Sequence, residues 1–207
     1  MRFAIALLLT VSCTALGDEA AQARFDAIMA DPAKREQAYA AGHERIVLCR
    51  NCHGDDGNSR RDYIPNLAAQ APGYLFTAFE RYASGQRSDF VMNQAARMLS
   101  LDERVNIAVY YSQQQVLPRQ GVVDDALRAR GEVLFGQVCV ACHGPQGLGQ
   151  QGVPRIAGQP ATYLQRTLEA YRDKDPRRAG STMLAVASQL QAGDIEALAA
   201  YLQQLHP

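Results

Sequence analysis

Several features that mark common classes of protein are missing from this sequence of 207 residues. Acidic and basic side chains number 21 each, so the formal net charge is zero and no attraction to nucleic acid or anionic lipid is predicted. The apolar stretch at residues 3–11 is shorter than the ~20 residues that span a bilayer. No segment alternates like a β-strand over a useful length. With 47% hydrophobic and 20% charged residues, the composition is that of a globular protein.

Cysteine is also scarce, and its positions are therefore informative. Of five cysteines, four lie in CRNCHG at residues 49–54 and CVACHG at residues 139–144. The fifth, Cys13, lies in residues 1–17, where Arg2, the apolar stretch and small residues before Asp18 predict a signal peptide. Thr10 replaces the Leu usual before a lipidated cysteine, which argues against lipidation of Cys13. We expect export to the periplasm and no transmembrane helix in the mature chain; peripheral membrane association stays open.

The repeat extends well beyond the cysteines. PNLAAQ at residues 65–70 matches PRIAGQ at residues 154–159, and the later parts of the two copies align without a gap. The other matching pairs are Tyr74 and Tyr163, Tyr82 and Tyr171, Met92 and Met183, Leu99 and Leu190, and Tyr110 and Tyr201. The chain is therefore a tandem duplication.

The duplication and the helical patterns predict an all-α chain of two domains. Leu75, Phe79 and Tyr82 share one helix face, Ser100 and Glu103 form a capping box, and no such cap is predicted before the matching residues 193–205. The predicted segments are a signal peptide at 1–17, a helical N-terminal extension at 18–40, domain 1 at 41–115, a linker at 116–126 and domain 2 at 127–207.

Cys-x-x-Cys-His is the recognised sequence for covalent attachment of haem c. On a helical turn the two sulfurs lie on one face, where they form thioethers to the two vinyl groups of one haem, and the adjacent His binds the iron. The sequence therefore predicts two haems, one attached to Cys49 and Cys52 with His53, and the other to Cys139 and Cys142 with His143.

Other uses of Cys-x-x-Cys pairs fit less well. A redox dithiol expects a strand–helix context, whereas the flanks here are helical. Paired zinc knuckles usually lie about 15–20 residues apart, but these motifs begin at residues 49 and 139. Disulfides suit an oxidising compartment, yet they leave His53 and His143 unexplained.

A methionine thioether is the expected second axial ligand of each iron. The second copy offers Met183, and the alignment of Met183 with Met92 selects Met92 over Met98, which we predict to be a packing residue. His43 is an alternative ligand for the first iron, although it lies close in sequence to the attachment turn. Residues predicted to pack against the haems are Leu75, Phe79, Val133, Leu164 and Leu168.

These motifs, with SGQRSDFVM before the first ligand and GDIEALAAYL near the end, resemble the di-haem cytochrome c4 family over about residues 40–207. The resemblance implies two cytochrome c-type domains packed around two covalently bound haems. It also implies that the carbonyls of Pro65 and Pro154 accept hydrogen bonds from His53 and His143. Ala69 departs from the family's usual Gly.

With His and Met on both irons, no site is left for a substrate, so the expected function is single-electron transfer rather than catalysis. Arg87, and Arg177 or Arg178, are candidates to face haem propionates. Family analogy suggests a quinol-oxidising complex and a terminal oxidase as redox partners. The alternative is the haem subunit of a periplasmic oxidoreductase, such as a thiosulfate dehydrogenase or peroxidase, in which one axial ligand is exchangeable.

Overall fold

The computed structural model describes residues 13–119, 123–150 and 152–206. Within these ranges the prediction of an all-α chain is confirmed, since the only β-type pairing there is an isolated bridge between Gln150 and Val153. The α-helices are α1 Cys13–Ala30, α2 Pro32–Arg45, α3 Arg50–His53, α4 Pro72–Ser84, α5 Phe90–Met98, α6 Leu101–Ser112, α7 Asp125–Val138, α8 Val140–His143, α9 Ala161–Arg172, α10 Met183–Ala187 and α11 Ala192–Gln204. A 3₁₀ turn covers Pro176–Arg178.

The duplication is visible in how helices pair. α2 packs on α6 in the first half as α7 packs on α11 in the second, and these are the two most extensive helix contacts in the described residues. A glycine lies at each crossing, Gly42 against Asn106 and Tyr110, and Gly131 against Ala197 and Tyr201. The absence of a side chain at these glycines lets the helix backbones approach closely.

Each half has its own hydrophobic core. The first is built around Phe76, Val105, Ile107 and Tyr111, and the second around Phe135, Leu164, Ile195, Leu198 and Leu202. The capping box of Ser100 and Glu103 is confirmed at the start of α6. The expectation that α11 lacks one is wrong, because Gln191 and Asp194 form the equivalent box.

Helix α1 has no counterpart in the second half. Phe25 stacks on Phe76 of α4 with ring centroids 4.9 Å apart, and Arg24 donates to Asp102 of α6 at 2.8 Å. Helix α2 crosses the predicted boundary at residues 40–41, and it packs on α6 as α7 does on α11. The part of the extension that has no equivalent is therefore α1. Residues 1–12, most of the predicted signal peptide, lie outside the described residues.

The stacking of Phe25 gives α1 a measurable role in stability. We expect Phe25→Ala to lower the free energy of unfolding by about 3 kcal/mol, because it removes a large ring that is 7% exposed. Thermal unfolding followed by far-ultraviolet circular dichroism measures the change. Gln22→Ala alters an exposed position of the same helix and should change stability by less than about 0.5 kcal/mol. Equal effects of the two substitutions would contradict a packing role for α1.

Two predictions about packing are wrong. Val133 is 60% exposed, because α7 buries Gly131 and Phe135 instead. Met98 is 70% exposed at the end of α5 and does not pack in the core.

Candidate haem-binding site

The candidate site is a cavity of about 860 Å³ that both halves line. Its walls include the predicted site residues Cys52, His53, Met92, Cys139, His143 and Met183. Cys49 and Cys142 are not in the cavity wall, although each lies three residues from a cysteine that is. The fold therefore brings together six of the eight predicted site residues around one space.

The two Cys-x-x-Cys-His segments fold in the same way. In the first half, the N–H groups of Cys52 and His53 both donate to the Cys49 carbonyl, at 3.1 and 2.9 Å. In the second half, the N–H groups of Cys142 and His143 donate to the Cys139 carbonyl, at 3.3 and 2.9 Å. Each motif thus forms one helical turn, the geometry that places both sulfurs on one side.

Both motif histidines are buried and oriented by a proline carbonyl. The Nδ1 of His53 lies 3.0 Å from the carbonyl oxygen of Pro65, and the Nδ1 of His143 lies 2.9 Å from that of Pro154. These are the two hydrogen bonds that the family resemblance implies. Because a carbonyl oxygen only accepts, Nδ1 carries the hydrogen and the lone pair of Nε2 is available to a metal. Burial lowers the pKa of both imidazoles, which favours this neutral form.

Two of the motif cysteines, Cys49 and Cys139, are partly buried. Burial raises the pKa of Cys49, and it raises the pKa of Cys139 to about 11. A free thiol with a raised pKa is a poor nucleophile, which does not favour a redox dithiol at either motif. Cys49, Cys52, Cys139 and Cys142 form no disulfide with one another. In the described part of the chain, no group of three or more Cys, His, Asp or Glu residues is arranged to hold a metal ion.

The candidate axial methionines differ in position. Met92 is half-buried and lines the cavity, and its N–H donates to the side chain of Asp89, which caps α5, at 2.9 Å. Met183, the first residue of α10, also lines the cavity. Met98 is exposed and is not part of the wall. His43 is exposed and packs against Tyr110, with ring centroids 5.3 Å apart, so it too lies outside the wall.

Two arginines with unpartnered nitrogens also line the cavity. In the described residues, the Nε atoms of Arg87 and Arg155 are the buried side-chain polar atoms that have no hydrogen-bond partner. Arg87 lies over the Tyr82 ring at 4.7 Å, and its counterpart Arg178 lies over the Tyr171 ring at 5.5 Å. Buried donors of this kind are costly unless an anion or acceptor meets them. Because Arg87 and Arg178 both line the cavity, their positive charges suit it to a ligand that carries carboxylates.

The two halves meet through a reciprocal pair of amide contacts that sequence reasoning missed. Asn66 N–H donates to Gln159 Oε1 at 2.9 Å, and Gln159 Nε2 donates to the Asn66 carbonyl at 2.8 Å. Arg155 N–H donates to Gln70 Oε1 at 2.6 Å, and Gln70 Nε2 donates to the Arg155 carbonyl at 3.0 Å. All four residues are buried. Because they occupy equivalent places in the repeat, the halves are related by an approximate two-fold axis.

The substitution at Ala69 leaves the backbone of this interface loop unchanged. Ala69 has φ of 47°, a left-handed value like the 66° of its counterpart Gly158. Its N–H donates to the Tyr111 carbonyl at 3.1 Å, as the Gly158 N–H does to the Leu202 carbonyl at 2.8 Å. The loop therefore tolerates a methyl group, at a cost of about 1 kcal/mol relative to glycine.

The chain is similar to known cytochromes c, in particular to cytochrome c4. A family model described as cytochrome c matches residues 128–206. The chain is 33% identical to cytochrome c4 of Pseudomonas aeruginosa, over 98% of each chain. It is 30% identical, over 82% of this chain and 85% of the relative, to a Thiomonas intermedia protein named thiosulfate dehydrogenase electron acceptor. The crystal structure of reduced recombinant cytochrome c4 from Pseudomonas stutzeri has a TM-score of 0.73 and 34% identity, covering 81% of this chain and 98% of that chain.

Proposed function

Because this chain belongs to the cytochrome c4 family, we propose that it is a periplasmic di-haem c-type cytochrome that carries single electrons between respiratory redox proteins. The observation that carries the proposal is the pair of identical Cys-x-x-Cys-His turns, one in each half, whose neutral histidines line one shared cavity. Two such turns require two haems, one for each pair of thiols.

In this proposal, eight side chains hold the haems. The thioether partners are Cys49 and Cys52 for the first haem, and Cys139 and Cys142 for the second. The iron ligands are His53 and Met92 in the first half, and His143 and Met183 in the second. When bound, each haem supplies an iron that alternates between the ferrous and ferric states.

The residues of the cavity fit this cofactor. The apolar wall includes Leu75, Phe79, Leu164 and Leu168, which suits the faces of a porphyrin. Arg87 and Arg178 both belong to the wall of this cavity. Haem propionates end in carboxylates, and their negative charge would pair with these guanidinium groups.

The ligand set supports a carrier rather than an enzyme. His53 with Met92, and His143 with Met183, would occupy the iron positions that a substrate would otherwise need. The protein then contributes burial and fixed ligand orientation, through the bonds of His53 to Pro65 and His143 to Pro154, while the electron is the only species transferred.

The proposed location follows from the N-terminal sequence. Residues 1–17 have the pattern of a secretory signal, and c-type haems are attached outside the cytoplasm. No helix within residues 13–119, 123–150 or 152–206 has both the length and the apolar character needed to cross a membrane. A mature chain that begins at Asp18, read by mass spectrometry of periplasmic protein, is the expected result.

A second candidate function differs from the first in its redox partners. Family analogy favours a quinol-oxidising complex as donor and a terminal oxidase as acceptor. The similarity to a thiosulfate dehydrogenase electron acceptor favours a role as the electron-accepting haem protein beside such an enzyme. Rapid-mixing reduction by a thiosulfate dehydrogenase, compared with reduction by a quinol-oxidising complex, distinguishes the two.

Iron content tests the proposed cofactor directly. We expect protein exported from a host with c-type maturation to hold two irons per chain, with porphyrin that stays attached after extraction with acidified acetone. Cys139→Ala with Cys142→Ala should lower this to one iron, because only one attachment turn remains. Wild-type protein carried through the same export and extraction is the control and should retain two. A colourless protein, or one that releases its porphyrin, would contradict the proposal.

A further inference from the structure

Arg155 is the largest fully buried side chain in the described residues, with 1% of its surface exposed. Its guanidinium donates to three backbone carbonyls: Nη2 to Ala68 at 2.7 Å and to Asn66 at 3.5 Å, and Nη1 to Ala157. Two of these carbonyls belong to the first half and one to the second. The cation therefore lies at the approximate two-fold axis, between the two loops that carry Pro65 and Pro154.

No side chain in the described residues neutralises this charge. The ion pairs formed there involve other arginines and Lys34, and none includes Arg155. Burial lowers the pKa of Arg155 to about 10, which still leaves the group charged at neutral pH. Within the protein, only carbonyl dipoles offset this buried charge, and the propionates of the proposed haems would be its only anionic neighbours. A neutral side chain would satisfy the interface at lower cost, which points to a function for the charge itself.

The position breaks the symmetry of the repeat. Arg155 directly follows Pro154, whereas the equivalent residue after Pro65 is the neutral Asn66. The main-chain hydrogen bonds to Gln70 and Gln159 are the same in both halves, so they need no particular side chain at either position. The side chains differ: the Asn66 amide donates to the Gly158 carbonyl at 2.9 Å, whereas the Arg155 side chain brings a positive charge to the same interface.

We propose that the positive charge of Arg155 raises the reduction potentials of both haem irons, which makes Arg155 an electrostatic tuning residue at the domain interface. The inference rests on the proposed function, since it requires a haem in each half. A ferric centre carries one more positive charge than a ferrous centre, and a nearby buried cation therefore disfavours the ferric state. Both irons are affected because the guanidinium contacts residues 65–70 and 154–159, the ligand-supporting loops whose prolines orient His53 and His143.

Redox titration of the holoprotein tests the charge. We expect Arg155→Gln to lower both midpoint potentials, so that at a fixed ambient potential the ferrous-to-ferric ratio falls. The fall is about tenfold for a charge ~12 Å from an iron at an effective dielectric constant of about 20. Arg155→Lys keeps the charge but loses the forked hydrogen bonds to the carbonyls. It should retain both potentials while lowering the melting temperature.

Gln70→Leu is the matched structural control. It removes the bonds between Gln70 and the Arg155 backbone but leaves the guanidinium in place. We expect it to weaken the interface with a smaller change in potential than Arg155→Gln. Unchanged potentials in Arg155→Gln, or an equal fall in Gln70→Leu, would overturn the inference. Wild-type protein without two haems would instead refute the proposed function, since this outcome does not depend on Arg155.

Discussion

Met92→Ala is expected to open one iron of the pair to an added ligand, while Met98→Ala is expected to leave both closed. Met92 lines the cavity and aligns with Met183 in the repeat, whereas the Met98 side chain is 70% exposed. Loss of the thioether leaves one axial position vacant and lowers the reduction potential of that iron. Carbon monoxide added to ferrous Met92→Ala should bind one of the two irons in each chain. The weak near-infrared band of Met-ligated ferric haem should have half of its wild-type intensity.

The Met98 variant is the internal control for this experiment. Both substitutions shorten a methionine on the same helix, α5, so a general loosening of that helix would affect them alike. Met183→Ala should reproduce the Met92 result at the other iron, and the double variant should bind carbon monoxide at both. Ligand binding by Met98→Ala alone would show that the repeat alignment selects the wrong residue.

Gly131→Ala is expected to destabilise the second half by about 3 kcal/mol, which lowers its melting temperature by about 10–20 °C. A Cβ at this position would lie 2.7 Å from both the Ala197 carbonyl carbon and the Tyr201 Cβ. The atoms that it meets belong to the backbone and the first side-chain carbon of α11, which move only if the helices separate. Differential scanning calorimetry of the holoprotein measures the shift.

The same helix supplies the control for this substitution. Gly136 lies in α7 five residues later, and a Cβ there meets no atom within 4 Å. Because Ala has a higher helix propensity than Gly, Gly136→Ala should stabilise the protein by about 0.5–1 kcal/mol. Gly42→Ala should repeat the Gly131 effect in the first half, where the Cβ would lie 2.8 Å from that of Tyr110. Stabilisation by Gly131→Ala would mean that α7 and α11 are not closely packed.

The reciprocal amide contacts tie together the two loops whose prolines orient the motif histidines. Gln70 and Gln159 each bond to the main chain of the opposite half, next to the proline that orients the opposite histidine. The interface thus fixes the two ligand-supporting loops relative to each other. With the proposed haems bound, this interface would hold the two of them at a constant separation.

Local sequence signals predicted local structure where the residues had well-known preferences. Ser100 and Glu103 predicted the cap of α6, because both partners lie within one turn. Gln191 was missed as the equivalent cap, since glutamine is not among the residues favoured at that position. Val133 was wrongly assigned to the cavity because only contact with α11 shows that Gly131 and Phe135 face inward.

The duplication can be read from the sequence alone, and the sequence also predicts the two attachment turns and Met92 as the counterpart of Met183. These depend on spacing along one chain and on the chemistry of Cys, His and Met, which are fixed before folding. Three features needed the folded chain: the packing of α1 on α4 through Phe25, the glutamines that cross between halves, and the burial of Arg155 without a side-chain ion pair. Burial and long-range hydrogen bonds depend on residues far apart in sequence, which meet only when the whole chain has folded.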